Sequence, residues 1–133
     1  EVLKSPAGFE IINDTYNANP DSIRSAVNEL VTLAGEGRSI AVVGDMLELG
    51  EASRPEHRAL GEYISEAGVD VLVAYGNFGG DVVEGAGKGV HAKTHADAAR
   101  AVAEAAREGD VVLVKGSRGM RMEEVTKLLM EGA

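Results

Sequence analysis

Cysteine is absent from all 133 residues, so neither a disulfide nor a thiolate zinc site can hold this chain together, and its stability must come from burial. Tryptophan is absent too, and the rings are limited to three tyrosines and two phenylalanines. With 17 glycines and so few rings, the core must be built from valine, leucine, isoleucine and alanine between many tight turns, an α/β composition rather than an all-β one. Positive charge is scarce as well: 13 Lys and Arg stand against 22 Asp and Glu, giving a net charge of -9. That balance excludes a surface for nucleic acid or anionic lipid, both of which need clustered cations. No apolar run approaches the roughly 20 residues that span a bilayer, and no basic stretch with an apolar core opens the chain. A soluble cytoplasmic protein is the expectation, and the glycosylation pattern Asn13-Asp14-Thr15 carries no weight without a secretory signal. With 44% hydrophobic residues, this length suits a single domain.

Apolar periodicity gives the order of elements. Val2–Lys4 and Phe9–Asp14 flank the turn residues Ser5-Pro6-Ala7-Gly8 and predict a β-hairpin. Asn19 before Pro20 reads as an N-cap followed by the first helical residue, and Ile23, Ala26, Val27, Leu30, Val31 and Ala34 place a stripe on a helix to Ala34. Ser39–Val43 reads as a strand buried on both faces. Ser53-Arg54-Pro55-Glu56 reads as a capping box that starts a helix carrying Leu60, Ile64 and Ala67. A strand at Val69–Ala74, a short helix at Asp81–Ala86, a brief strand at Val90–Ala92, a helix at Asp97–Arg107, a strand at Asp110–Val114 and a last helix with Met122, Val125, Leu128 and Leu129 follow. Strands alternating with helices predict a Rossmann-like, mostly parallel sheet with helices on both faces. Ligands of such sheets lie off the carboxyl ends of the strands, so the loops at Asp14–Ser22, Gly44–Gly50, Tyr75–Gly80 and Lys115–Arg121 should share one edge.

Three of these loops carry unusual strings. Asp14-Thr15-Tyr16-Asn17-Ala18-Asn19-Pro20-Asp21-Ser22 sets a carboxylate, a phenol and two amides at a strand-to-helix turn, although each polar residue alone also suits turn or capping chemistry. Lys115-Gly116-Ser117-Arg118-Gly119-Met120-Arg121 places three cations within seven residues of an acidic chain, at a strand end that suits a carboxylate or phosphate; the alternative is an exposed Arg118 and Arg121 pair on a helix face. Gly44-Asp45-Met46-Leu47-Glu48-Leu49-Gly50 offers Asp45 and Glu48, whose spacing suits turn chemistry better than a metal. His91 and His95 would hold a metal only on a common helix, which Lys93 and Thr94 disfavour, so none is expected. Gly85-Ala86-Gly87-Lys88-Gly89 fails the phosphate-loop pattern, because Val82 stands at the first glycine and Gly89 at the serine or threonine. No nucleophile with a paired histidine is apparent.

Taken together and in this order, the three strings resemble the C-terminal domain of the bacterial Mur ligases, and the tyrosine-asparagine string resembles the branch that adds a dipeptide. Relatives that add amino acids look more like Asp-Tyr-Ala-His-Thr-Pro at this place. The resemblance covers essentially the whole of residues 1–133, as one domain of a three-domain enzyme whose UDP-sugar-binding and ATPase domains, with their P-loop and Mg²⁺ residues, are not in this sequence. It implies an ATP- and Mg²⁺-dependent ligase that joins D-alanyl-D-alanine to UDP-N-acetylmuramoyl-tripeptide in making the peptidoglycan precursor. ATP phosphorylates the tripeptide carboxylate, the dipeptide amine attacks the acyl phosphate, and this domain closes over the site. By the same resemblance Asp14 approaches the ATP ribose and Tyr16, Asn17 and Asn19 face the substrates; position and charge make Lys115, Ser117 and Arg118 best placed to fix the dipeptide carboxylate, with Asp45 and Glu48 as candidate loop contacts. The chain alone is expected to hold no cofactor tightly and to turn nothing over. Two other readings stay open: another Mur or folylpolyglutamate-type ligase domain, and a freestanding nucleotide- or anion-binding module of the same fold.

Overall fold

In the computed structural model, which describes residues 1–132, the turn at Ser5–Gly8 folds β1 (Val2–Lys4) against β2 (Glu10–Asp14) as the antiparallel pair expected. Ser5 closes the turn, its N–H donating to the Phe9 carbonyl and its hydroxyl accepting the Phe9 N–H. Helix α1 (Pro20–Ala34) then starts at an extended Asn19, whose side chain accepts the Ser22 N–H while the Ser22 hydroxyl accepts the Asn19 N–H. Two otherwise orphaned donors are thereby satisfied, and Pro20 sits where its missing N–H costs nothing.

The remaining elements are β3 (Ser39–Val43), α2 (Ser53–Glu66), β4 (Val71–Tyr75), α3 (Gly79–Ala86), β5 (Val90–Ala92), α4 (His95–Ala105), β6 (Val111–Lys115) and α5 (Glu123–Met130). They form a six-stranded sheet in the order β1-β2-β6-β3-β4-β5, in which every pairing except β1 with β2 is parallel. Helices α1, α2 and α3 cover one face, where Ile23, Val27, Leu30, Leu60 and Ile64 pack with Ile12, Val43, Leu72 and Leu113. Helices α4 and α5 cover the other, where Ala98, Ala99, Val102, Val125 and Leu129 pack with Ile11, Ile40, Val42, Val112 and Val114. Each fully buried aliphatic side chain contributes about 1.5–3 kcal/mol relative to exposure, so this double-sided packing is the main support of a fold without covalent ties.

The chain thus runs from β2 to β3 across a gap, proceeds outward to β5, and returns to fill the gap with β6. Because α1 and α2 leave on one face and α5 on the other, the carboxyl end of β6 is flanked on both sides by chain departing the opposite way. This is the topological switch point at which open α/β sheets bind ligands.

Several expected boundaries shift for local reasons. Ser53 does not cap α2: a 3-10 turn at Gly50–Ala52 runs straight into the helix, Ala52 at the N-cap makes no side-chain bond, and Ser53 is buried with its carbonyl facing the His57 ring. Strand β4 begins at Val71 because the Asp70 carboxylate is taken up in accepting the Ser39 N–H and hydroxyl. Helix α3 begins two residues earlier than expected, at Gly79, and α4 begins at His95, with Thr94 capping the Asp97 N–H. The histidines therefore sit on different elements: the Nε2 of His91 meets the Gly76 carbonyl and that of His95 the Met120 carbonyl.

The start of β6 is anchored by a buried acid. Burial pushes the Asp110 carboxyl up, but N–H bonds from Arg107 and Arg38 and the Arg38 guanidinium outweigh it and hold its pKa below the usual carboxylate value. A depressed folded pKa means that this stabilisation is present above the unfolded value, near 3.9, and is lost as pH falls through the folded one. Asp110→Asn should therefore lower the unfolding free energy by about 2 kcal/mol at pH 7. The gap from wild type should close as pH drops below about 4, which denaturant titrations at both pH values would check.

Candidate functional site

Parallel pairing sets Asp14 of β2 and Val43 of β3 in register with Lys115, the last residue of β6. The Lys115 ammonium is buried, its side chain 3% exposed, and it pairs with the Asp14 carboxylate at 2.8 Å. Its second bond, 3.1 Å, goes to the Asn17 carbonyl, so one buried cation ties the β6 end to the turn after β2. A buried ammonium is tolerated only when paired and hydrogen-bonded, and here both conditions are met within the protein. Lys115 therefore holds the turn in place, whereas Asp14, 44% exposed, presents its carboxylate to solvent.

Ser117 is the second tie. Its hydroxyl accepts the Leu47 N–H at 3.0 Å and lies 3.4 Å from the Ala18 carbonyl, and its N–H donates to the Asp45 carbonyl at 3.3 Å. Three loops that are far apart in sequence are joined at this one residue. Asp45 is also buried and turned away from solvent: its carboxylate accepts the Asn77 and Phe78 N–H groups at 2.9 and 3.0 Å, binding the loop after β4 into the same rim. Gly76 lets that happen, since its φ of +117° is open to glycine and a Cβ there would lie 2.5 Å from an Asp45 oxygen.

On this framework Arg118 reaches outward. Its guanidinium lies 5.0 Å from the centre of the Tyr16 ring and 3.3 Å from the phenol oxygen, and Tyr16 is itself 70% exposed. Stacking on an aromatic face orients the guanidinium while leaving donors free for an anion. Arg121 is differently engaged, paired with Glu124 at 3.2 Å, so the three cations seen in sequence divide into one buried, one paired and one available. Tyr16, Asn17, Asn19, Leu47, Glu48, Ser117 and Arg118 line a cleft of about 450 Å³ at this rim. The Asn19 side-chain oxygen is taken by the helix cap, whereas the Asn17 side-chain oxygen accepts a longer bond, 3.4 Å, from the Ser22 hydroxyl.

With this arrangement the sequence can be set beside known proteins. Residues 1–118 match the family described as Mur ligase, glutamate ligase domain. This chain belongs to the Mur ligase family. UDP-N-acetylmuramoyl-tripeptide--D-alanyl-D-alanine ligase of Bacillus subtilis is 40% identical over 137 residues, covering 98% of this chain and 30% of that protein. Among solved structures, MurF from Acinetobacter baumannii superposes with a TM-score of 0.88 at 36% identity, covering 98% of this chain and 30% of the other. MurF ligase from Thermotoga maritima in complex with ADP gives 0.84 at 29% identity, again with 98% and 30% covered. The Mur ligase domain thus spans about 30% of the length of these relatives.

Within the Mur ligase domain, two features of the rim lie outside the site residues expected from the sequence. His57 is fully buried, accepts the Met46 N–H on Nε2 at 2.9 Å and meets the Ser53 carbonyl through Nδ1 at 2.6 Å, an arrangement that requires the proton on Nδ1. Its bond to Met46 pins the Gly44–Gly50 loop to α2, and its stacking on Phe78, with centroids 4.7 Å apart, adds the segment before α3. A second hollow of about 440 Å³ opens on the far side of Asp45 and Leu47, lined also by Tyr75, Asn77, His91 and Lys93. Only the strand order, which no local pattern specifies, places it there. Among the described residues no three His, Asp or Glu side chains converge as a metal cage. Nor is any helix among them long and apolar enough to cross a membrane.

Proposed function

We propose that this domain binds D-alanyl-D-alanine and positions it for an ATP-dependent ligase that joins it to UDP-N-acetylmuramoyl-tripeptide in peptidoglycan precursor synthesis. The observation that carries this reading is the cleft in which Arg118, oriented on Tyr16, stands beside Asn17, Asn19 and Ser117 at the switch point of the sheet. The curated relatives that span the chain bear the name of that ligase.

In this mechanism Arg118 takes the dipeptide carboxylate in charge-assisted bonds, and the amides of Asn17 and Asn19 offer donors to the peptide group. Lys115 and Ser117 act through the turn they hold: they keep Tyr16 and Asn17 at fixed height above the strand ends. Asp14 gives one oxygen to Lys115 and keeps part of its carboxylate exposed, where a nucleotide ribose would be met when the domains close. Closure then brings the dipeptide amine to the acyl phosphate formed from ATP and excludes the water that would hydrolyse it. Amide formation releases phosphate, and the amine loses its proton to solvent or to a base outside this chain.

Arg118→Ala in the complete ligase should raise the KM for D-alanyl-D-alanine roughly tenfold or more, as expected for losing one charge-assisted contact, and change the KM for ATP far less. Steady-state kinetics with each substrate varied in turn checks this. Equal effects on both substrates would refute the placement of the carboxylate.

A further inference from the structure

The cleft beside Arg118 contains a second, opposite charge. Glu48 lines the same space, and among the described residues neither Glu48 nor Arg118 takes part in an ion pair. Among the described residues the only side-chain partner of Arg118 is Tyr16. An anion and a cation therefore share a cleft of about 450 Å³ without neutralising one another.

The backbone shows that Glu48 is held there. With φ at +67° it is one of two non-glycine residues in the left-handed region among those described, a conformation that glycine adopts without strain and glutamate does not. Its neighbours fix it: the Met46 N–H is bound by His57, the Leu47 N–H by Ser117, and the Leu49 carbonyl by the Ala52 N–H. Strain retained in a loop so firmly pinned on both sides points to a side chain whose position is used.

We propose that Glu48 binds the ammonium group of the dipeptide while Arg118 binds its carboxylate, so that the cleft selects short zwitterionic peptides with both termini free. This deepens the dipeptide reading above and rests on it. A dipeptide reaches at most about 7 Å from end to end, and a cleft of about 450 Å³ holding two charges that form no ion pair can take a ligand of that size. Charged contacts at both ends favour a ligand whose two termini are free over one with either end blocked. Two opposite charges also give the dipeptide one direction of binding, its amine toward Glu48 and its carboxylate toward Arg118.

The test uses the complete ligase with Glu48→Gln and Glu48→Gly, assayed with D-alanyl-D-alanine and inhibited by propionyl-D-alanine, which keeps the carboxylate and lacks the amine. Glu48→Gln should raise the KM for the dipeptide about tenfold and leave the KM for ATP and the inhibition constant of propionyl-D-alanine within about twofold of wild type. Glu48→Gly should raise the same KM yet melt no lower than wild type, because glycine relaxes the backbone. An active wild type whose dipeptide KM is unmoved by Glu48→Gln overturns the ammonium assignment alone, as does equal weakening of the dipeptide and of propionyl-D-alanine, the signature of a loop merely displaced. A wild-type ligase that does not use the dipeptide at all overturns both this assignment and the reading beneath it.

Discussion

Asp14→Ala is expected to cost about 3 kcal/mol of stability at neutral pH, whereas Lys115→Met should cost less than about 1 kcal/mol, although the two residues form a single ion pair. The asymmetry follows from where each charge sits. Removing Asp14 leaves the ammonium of Lys115, whose side chain is 3% exposed, with only the Asn17 carbonyl as partner. Removing Lys115 leaves a carboxylate that is 44% exposed and can be hydrated, while methionine fills most of the vacated volume. The double variant should regain most of the stability that Asp14→Ala loses, a coupling of about 2 kcal/mol in a double-mutant cycle. Urea titrations of the four proteins decide this, and additive losses would mean that the pair is not the tie described. In the complete ligase Lys115→Met should still lower the rate, because Tyr16 and Asn17 lose their anchor while the fold stands.

Gly61→Ala and Gly85→Ala provide the second large effect, and here two principles oppose one another. Alanine is the better helix former by about 1 kcal/mol, so propensity alone predicts that both variants are stabilised. Yet α2 and α3 cross at these glycines: a Cβ on Gly61 would lie 2.0 Å from the Val82 carbonyl oxygen, and one on Gly85 would lie 2.0 Å from that of Arg58. Both obstacles are backbone, so no rotamer change relieves them and the helices must separate. Overpacking of that kind costs about 3 kcal/mol, and it wins. A net loss of about 2 kcal/mol should lower Tm by roughly 6–10 °C for a domain of this size. A melting temperature that rises in either variant would show that the helices yield more easily than their packing implies.

The sequence revealed the elements better than their neighbours. Alternating apolar runs and the Asn19-Pro20 start sufficed for the strands and helices, because each rests on residues close in the chain, and the shared rim followed from the general rule that parallel α/β sheets gather their loops at the carboxyl ends of the strands. Lys115 shows where that information stops. As part of a lysine-glycine-serine-arginine string it reads as a ligand-facing cation, and its burial depends on Asp14, 101 positions away, lying in register with it across a parallel pairing. Asp45 was legible as turn chemistry, but its partners at Asn77 and Phe78 depend on β4 lying next to β3. Ser53 matched a capping pattern whose meaning changed once a 3-10 turn had supplied the preceding backbone. The unpaired charge of Glu48 had no sequence signature, since glutamate in a loop is ordinary and only its φ singles it out.

The position of β6 also governs how the molecule comes into being. The two parts of the sheet, β1 with β2 and β3 with β4 and β5, touch only through this strand, which is translated after all the others. A nascent chain still lacking residues 111–115 carries two ribbons with bare inner edges, each able to template pairing with a neighbouring polypeptide on the polysome. Emergence of five consecutive buried residues, Val111 to Lys115, should thus convert an aggregation-prone intermediate into one continuous sheet.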